Sequence, residues 1–508
     1  MFCKVNSLGL LGLQAYSVTV EVDLSQSMPA FDVVGLPDAS VRESRDRVRS
    51  AIRNCGFAFP VGKVVVNLAP ADVKKQGSLY DLPIFLGILK AAGMLDASLE
   101  RAAFVGELSL SGEIKRCTGV LPMALQAREM GLEAIFVPWE NAAEAAVVEG
   151  LQVFALRSVK ELLEHLKGSA PLSPQAHVPF TPGKTDHPLD FSDVKGQAGA
   201  KRALEVAAAG GHNILLVGPP GAGKSMLAKR IPSILPEMTF EEALETTKIH
   251  SVAGTLSEGA SLISVRPFRA PHHTISPAGL SGGGMIPHPG EISLAHNGVL
   301  FLDELPEFSR TAMEVLRQPM EDKTVTISRV AGTLTYPCSV MVVAAMNPCP
   351  CGYFGHPVKP CTCAPGAVAK YLARVSGPLL DRLDLHIEVA PVAYEDLSSQ
   401  GKEEPSSAIR ARVDRARRLQ QERYRGLGAV SNAALTSSQV SRFCSMTDDA
   451  ASLLRRAFDS MGLSARAYDR ILKVSRTIAD LDGEEKIGRA HVAEAVQYRS
   501  LDRKYWQR

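Results

Sequence analysis

The sequence predicts two successive α/β domains and a helical C-terminal domain, on three observations. Alternating strands and apolar helices interleave over residues 1 to about 165. Short, continuous apolar runs flank a glycine-rich loop between about Leu189 and Val392. Beyond Pro391, apolar residues recur at helical spacing. At 508 residues the chain is well past the roughly 250–300 residues at which one core stops growing, so several domains are expected.

In chain order, Met1 to Val22 opens with a short apolar stretch broken by Gln14. Val18, Val20 and Val22 then alternate with polar neighbours, which is a strand pattern and not a signal peptide. Lys63 to Leu68 is a second such strand, while Leu82 to Ala92 and Leu121 to Met130 are apolar helices. Residues 168–188 change texture: Pro171, Pro174, Pro179, Pro182 and Pro188 fix the backbone and remove donors a core would need, which marks a linker. Asn213 to Val217, Gly298 to Leu302 and Val340 to Ala345 are buried-strand runs of the kind found in parallel sheets. Ile409, Val413, Ala416 and Leu419 begin the helical region.

Hydrophobic residues make up 45% and charged residues 22%, ordinary globular usage that excludes disorder. No apolar run reaches the roughly 18 residues of a membrane span, since Leu82 to Leu95 is broken by Lys90. Nine cysteines, four of them between Cys349 and Cys363, fit a reducing cytoplasm better than a disulfide framework. Residues 402–508 carry +7 of a whole-chain +2, a basic surface that meets phosphates or is simply a solvated helical face.

Gly218, Pro219, Pro220, Gly221, Ala222, Gly223, Lys224 and Ser225 follow the strand Asn213 to Val217 and precede a helix, the context of a phosphate-binding loop. Backbone N–H groups wrap the phosphates, Lys224 reaches the β/γ oxygens of ATP and Ser225 ligates Mg²⁺. The run Val299 to Leu302 ends in Asp303 and Glu304, which puts Asp303 beside the metal and leaves Glu304 to polarise the attacking water. Asn347, after the strand Val340 to Ala345, is placed to orient that water, or is an ordinary strand-end asparagine.

The phosphate-binding loop, Val299 to Glu304, Ala344 to Gly352 and Ser376 to His386 together resemble the Mg-chelatase-like AAA+ ATPases over essentially the whole chain. The resemblance implies an AAA+ P-loop core at 189–393 with a four-cysteine insertion at 349–363, and a helical lid at 394–508. It places Gln197, in Asp193 to Gln197, by the adenine. It makes Asn347 sensor 1, Arg382 an arginine finger and Arg466 sensor 2. Arg382, between Asp381 and Asp384, equally suits a structural ion pair. A finger supplied by a neighbour makes a homo-oligomeric ring, a hexamer, the expected active form.

Residues 1–167 resemble the Lon-protease-like (S5-type) α/β fold, with Lys75 to Pro83 where that family carries its nucleophile loop. The Lon serine stands between Gly-Pro and Ala-Gly; here Ser78 comes one position early and Asp81 late, and Gly119 to Ala124 lacks the partner lysine. Nucleophilic catalysis needs a base beside its hydroxyl, so the domain is expected to be inactive as a peptidase. Cys349, Cys351, Cys361 and Cys363 form two Cys-x-Cys pairs suited to one tetrahedral Zn²⁺, with His356 as a substitute ligand and four free thiols as the alternative.

The family resemblance favours a DNA helicase that drives branch migration in recombination and transformation and engages single-stranded and branched DNA. A Mg-chelatase-type metal-insertion motor and a protein remodeller share the same engine. Arg269, in a Gly/Pro-rich insertion with Arg266, His272 and His273, and Arg329, in a β-branched hairpin, are the candidate contacts to DNA phosphates; the insertion arginines equally suit contacts to neighbouring subunits. Arg415, Arg417 and Arg418 of the lid are the next place to look.

Overall fold

Val18, Val20 and Val22 project from one face of the strand Gln14–Ser25 and are buried, as are Cys3 and Val5 of Phe2–Leu11. These strands pair antiparallel at the centre of a seven-stranded sheet. Its order is Ala30–Val34, Lys63–Ala69, Gln14–Ser25, Phe2–Leu11, Ala102–Phe104, Ala134–Pro138, Gln152–Leu156. The computed structural model describes every residue except 184–187, 285–286, 330–331, 393–400, 402 and 507–508. The expected lid boundary at 393/394 and part of the expected linker therefore lie outside the described residues; 171–183 form neither helix nor strand. The chain divides into two compact units, Met1–Thr181 with Phe240–Ser264, and Pro182–Thr239 with Val265–Arg508. Among the described residues no helix is long and apolar enough to cross a membrane.

In the first unit, helices Ala39–Asn54, Asp81–Ala91 and Val120–Glu129 pack on or beside the sheet. The hydroxyl of Ser78 donates to the Glu107 carboxylate, and Asp81 is buried against Ser44 and Arg47, whose Nε lies 2.6 Å from Oδ2. Residues 119–124 open the helix Val120–Glu129, and Val120, Leu121, Met123 and Ala124 are all buried.

Residues 240–264 lie in sequence between the phosphate-binding loop and the acidic strand, yet they pack in the first unit. The helix Phe240–Ala253 lies against Val120–Glu129. The buried Glu144 carboxylate accepts from Ser251 Oγ at 2.5 Å, Asn141 Nδ2 at 2.6 Å and the Leu121 amide at 3.3 Å. Burial pushes the Glu144 pKa above the usual carboxylate value against the pull of those donors. The Gly119 amide donates to the Ser251 carbonyl at 3.0 Å and Arg116 to that of Leu256 at 2.5 Å.

The second unit is built on a five-stranded, wholly parallel sheet in the order Phe268–Arg269, Val299–Leu302, Met341–Met346, Ile214–Val217, Leu385–Glu388. Its three central strands are buried at every position, as apolar runs covered on both faces must be. The C-terminal helices Ser406–Arg423, Asp448–Met461, Ala465–Asp482 and Arg489–Gln497 share one core with this sheet, joined through Val413, Ile471, Ile478 and Val492.

A buried polar knot fixes that helical region. Asp480, 2% exposed, accepts from Arg423 Nη2 at 2.6 Å, Arg476 Nε at 3.0 Å and Asn432 Nδ2 at 2.9 Å. Removing one member of a buried pair leaves charge without a partner at a cost of about 3–5 kcal/mol. Asp480→Ala is expected to lower the urea midpoint of the second unit by a corresponding amount and Asp480→Asn by less; an unchanged midpoint in both would show that the knot contributes nothing.

Candidate active site

Three parallel strands end within two residues of one another at one edge of the second sheet. Their register pairs Val217 with Met346 and Leu302 with Ala344, so the chain leaves the sheet side by side at Gly218, Asp303 and Asn347. Strands buried on both faces hold no polar side chains, and the first positions open to chemistry are those beyond their carboxyl ends.

Gly218 opens the loop because a Cβ there would lie 2.3 Å from the Val389 carbonyl oxygen, and Gly223 closes it at φ +91°. The helix Lys224–Arg230 follows. Lys224 is 8% exposed, and its ammonium donates to the carbonyls of Gly218 (2.8 Å) and Pro219 (2.9 Å) and to Oδ1 of Asn347 (3.0 Å). Burial holds its pKa below the ordinary lysine value, opposed by Asp303 and Glu304. A desolvated ammonium served only by neutral oxygens is a strong partner for a phosphate oxygen. Ser225 Oγ donates to Oδ2 of Asp303 at 2.6 Å, so a hydroxyl and a carboxylate meet at one point. This oxygen pair and the buried ammonium fit Mg²⁺ and the β/γ-phosphates of ATP.

Gln197 donates through Nε2 to the carbonyls of Ala222 (3.3 Å) and Ala390 (2.6 Å), which ties its segment to the phosphate-binding loop and to the strand exit beyond Leu385–Glu388. Glu304 adopts φ 53°, and its carboxylate lies 3.3 Å from Nδ1 of His273, whose ring stacks on His272 at 4.1 Å. The sequence groups these histidines with a DNA-facing insertion; the fold sets His273 beside Glu304. Nothing in the local pattern signals this, because the pair forms only when Phe268–Arg269 aligns along Val299–Leu302.

The family profile described as magnesium chelatase, subunit ChlI, matches residues 190–397. The profile for subunit ChlI of Mg-chelatase matches 20–141, and that for the ChlI C-terminal region matches 403–499. The competence protein ComM of Haemophilus influenzae is 45% identical over 507 residues, 98% of this chain and 97% of that protein. YifB of Escherichia coli is 43% identical over 502 residues, again 98% and 97%. The chain belongs to the Mg-chelatase-like ComM/YifB family. A stretch of 146 residues, 27% of the chain, is also 29% identical to Lon protease 2 of Bacillus subtilis. Together these fit the observed architecture: a Lon-like α/β unit, a parallel-sheet AAA+ core and a helical C-terminus, in a family of ATPases.

In this ComM/YifB-family chain the two expected arginines differ in setting. Arg382 is nearly enclosed: Nη2 lies 2.6 Å from Glu321 Oε1, Nε donates to the Arg317 carbonyl and Nη1 to that of Pro378. Asp384 instead pairs with His212 and Arg470, each at 3.6 Å. Burial pushes the Asp384 carboxyl up, but the interactions with His212, Arg470 and the Asn213 amide outweigh it and hold it well below the usual carboxylate range. Arg466 stands exposed in the first turn of Ala465–Asp482, with no hydrogen bond or ion pair among the described residues.

The sulfurs of Cys349, Cys351, Cys361 and Cys363 all lie within 4.8 Å of one another. A tetrahedron of thiolates at about 2.3 Å from Zn²⁺ has edges of about 3.8 Å, and the observed Sγ···Sγ separations of 3.3, 3.6 and 3.8 Å are of that size. His356 is not among them, because its Nδ1 accepts the amides of Val358 and Lys359.

Of the expected DNA contacts, Arg269 spends the Nε/Nη2 edge of its guanidinium on Glu291 in a bidentate pair, at 2.7 Å each. Arg266 is likewise committed to the carbonyls of Pro236, Glu237 and Asn297. Arg329 is exposed at the tip of the hairpin Thr324–Arg329 and Gly332–Pro337.

Lys224→Ala is expected to abolish binding of a fluorescent ATP analogue. Glu304→Gln should bind it normally and lose hydrolysis by about a hundredfold or more, the scale of a lost general base. Wild-type turnover in Glu304→Gln would remove Glu304 from the reaction.

Proposed function

We propose that the chain is an ATP-driven DNA motor, a cytoplasmic homohexameric ring that promotes branch migration as single-stranded DNA is recombined during transformation. The observation that carries this reading is the convergence of Lys224, Ser225, Asp303, Glu304 and Asn347 at one sheet edge, in a chain alike end to end to a competence protein. Lys224 holds the β/γ-phosphates, Ser225 and Asp303 hold Mg²⁺, and Gln197 and the loop Gly218–Gly223 embrace the rest of the nucleotide. Mg²⁺, when bound, neutralises charge on the phosphate oxygens. Glu304 and Asn347 position and polarise the attacking water, and Arg466 reaches the phosphates from the lid.

Arg382 acts on the neighbouring subunit's ATP and exchanges Glu321 for phosphate oxygens on assembly. A finger of this kind contributes about 10³–10⁵ in turnover. Neither Arg382→Ala nor Lys224→Ala alone should hydrolyse ATP, whereas mixed rings should regain activity where an intact Lys224 site meets an intact Arg382. Full activity of Arg382→Ala alone would overturn the trans arrangement.

Exposed on the hairpin of Thr324–Arg329 and Gly332–Pro337, Arg329 supports a grip on phosphates without sequence preference; Arg269, already paired with Glu291, is the weaker contact. The four-cysteine cluster holds one structural Zn²⁺. The chelatase profiles support a second reading, a metal-insertion motor. ATPase rates with single-stranded, duplex and branched DNA separate the two: DNA stimulation is expected, and its absence with all three would refute the DNA motor. Arg329→Ala should weaken DNA binding evenly across sequences and reduce the salt slope of log K by about one, with DNA-free ATPase unchanged.

A further inference from the structure

The loop from Cys349 to Gly366 has little of its own to hold it. It contains no helix or strand, most of its side chains beyond Phe354 are exposed, and its internal backbone hydrogen bonds are single-turn contacts such as Gly352 to Cys349 and His356 to Tyr353. What draws its two ends together is the group of four sulfurs. The loop is nonetheless built into the nucleotide site on three sides. It begins two residues after Asn347, the side chain that meets Lys224. Gly352 lies flat on Pro220 of the phosphate-binding loop, where a Cβ would come within 2.4 Å of the proline Cδ. Phe354, whose amide donates to Cys349 Sγ at 3.3 Å, sets its ring 6.2 Å from that of Tyr505. Lys504, next to Tyr505, is in turn paired with Glu388 at the end of the neighbouring strand. Gly218, Pro219, Gly352, Phe354, Val389 and Tyr505 thus wall one cavity behind the phosphate-binding loop.

We infer that the four-thiolate loop is a metal-dependent brace on the phosphate-binding loop, so that a thiophilic cation bound by Cys349, Cys351, Cys361 and Cys363 sets the affinity of the site for ATP. Four thiolates leave the ion no open position for substrate, so its effect passes through the backbone. With the ion bound, the loop is rigid and Gly352 presses Pro220 into the conformation that aims the loop amides at phosphate. Without it, the loop loses the link between its two ends, Gly352 no longer backs Pro220, and the phosphate-binding loop must be ordered by the nucleotide itself at the expense of affinity. A chelator that removes the metal would then weaken nucleotide binding without touching Lys224 or Asp303.

This inference rests on the metal reading of the cysteines, and the experiment separates the two. Full-length wild type, Cys361→Ser/Cys363→Ser and Gly352→Ala are compared for zinc content by plasma mass spectrometry, for binding of a fluorescent ATP analogue, and for helical content by circular dichroism. Wild type is expected to hold about one Zn²⁺ per chain. The double-serine variant should lose the ion and bind the analogue about tenfold more weakly at unchanged helical content. Gly352→Ala should keep the ion and lose about as much affinity, because the added methyl meets Pro220 and strains a backbone held at φ +84°, a combined cost equivalent to about tenfold or more. A metal-free wild type that binds nucleotide tightly would overturn the metal reading and the brace together. Normal analogue binding by the metal-free double-serine variant would overturn the brace and leave the zinc site standing. If that variant fails to fold, Gly352→Ala decides alone: unchanged affinity with zinc retained refutes the brace.

Discussion

The active site depends on the register of a parallel sheet that is buried on both faces. Because Val217 aligns with Met346 and Leu302 with Ala344, a loop, a carboxylate pair and an amide emerge within two residues of one another at one sheet edge. A slip of one residue would turn each strand's side chains to the other face and separate Lys224 from Asn347 and Ser225 from Asp303. Register in turn is pinned by apolar contacts on both faces and by Asn213, whose Oδ1 accepts the Val342 amide while its Nδ2 reaches the Arg382 carbonyl. One polar side chain at a strand start therefore joins two strands of the sheet to the segment that carries the expected finger.

Charge is handled differently in different parts of the unit. In the nucleotide site Lys224 is desolvated and offered only neutral oxygens, a poor resting state that favours an incoming anion. In the helical region Asp480, Arg423, Arg476 and Asn432 satisfy one another, which fixes the helix bearing Arg466. Asp384 does similar work below the sheet through the Asn213 amide, His212 and Arg470.

The first unit has a Lon-like α/β scaffold. Ser78 faces a carboxylate, and the helix start expected to offer a base is apolar. The same surface instead receives the segment 240–264, held by the Glu144 carboxylate. The chain thus leaves the ATPase core between the phosphate-binding helix and the strand Phe268–Arg269 and returns to it, an attachment that links the two units covalently at more points than a single linker provides.

Much of this was legible in the residue order. The glycine-rich loop after an apolar run, the acids after a second and the asparagine after a third mark the candidate nucleotide site because strand, turn and helix are local patterns whose order along the chain implies a parallel sheet. The two Cys-x-Cys pairs are legible for the same reason, since 14 positions separate the first cysteine from the last. The partners of Arg269, Arg382 and Glu304 were not, and neither was the berth of Ser251 against Glu144, 107 positions away. Sequence alone determined which elements form and which side chains stand at their ends, because backbone propensity and apolar period act within a few residues. Only the tertiary structure decided which charges are spent on structure and which stay open to a ligand, because that choice is made by packing between elements whose spacing along the chain carries no periodic signal.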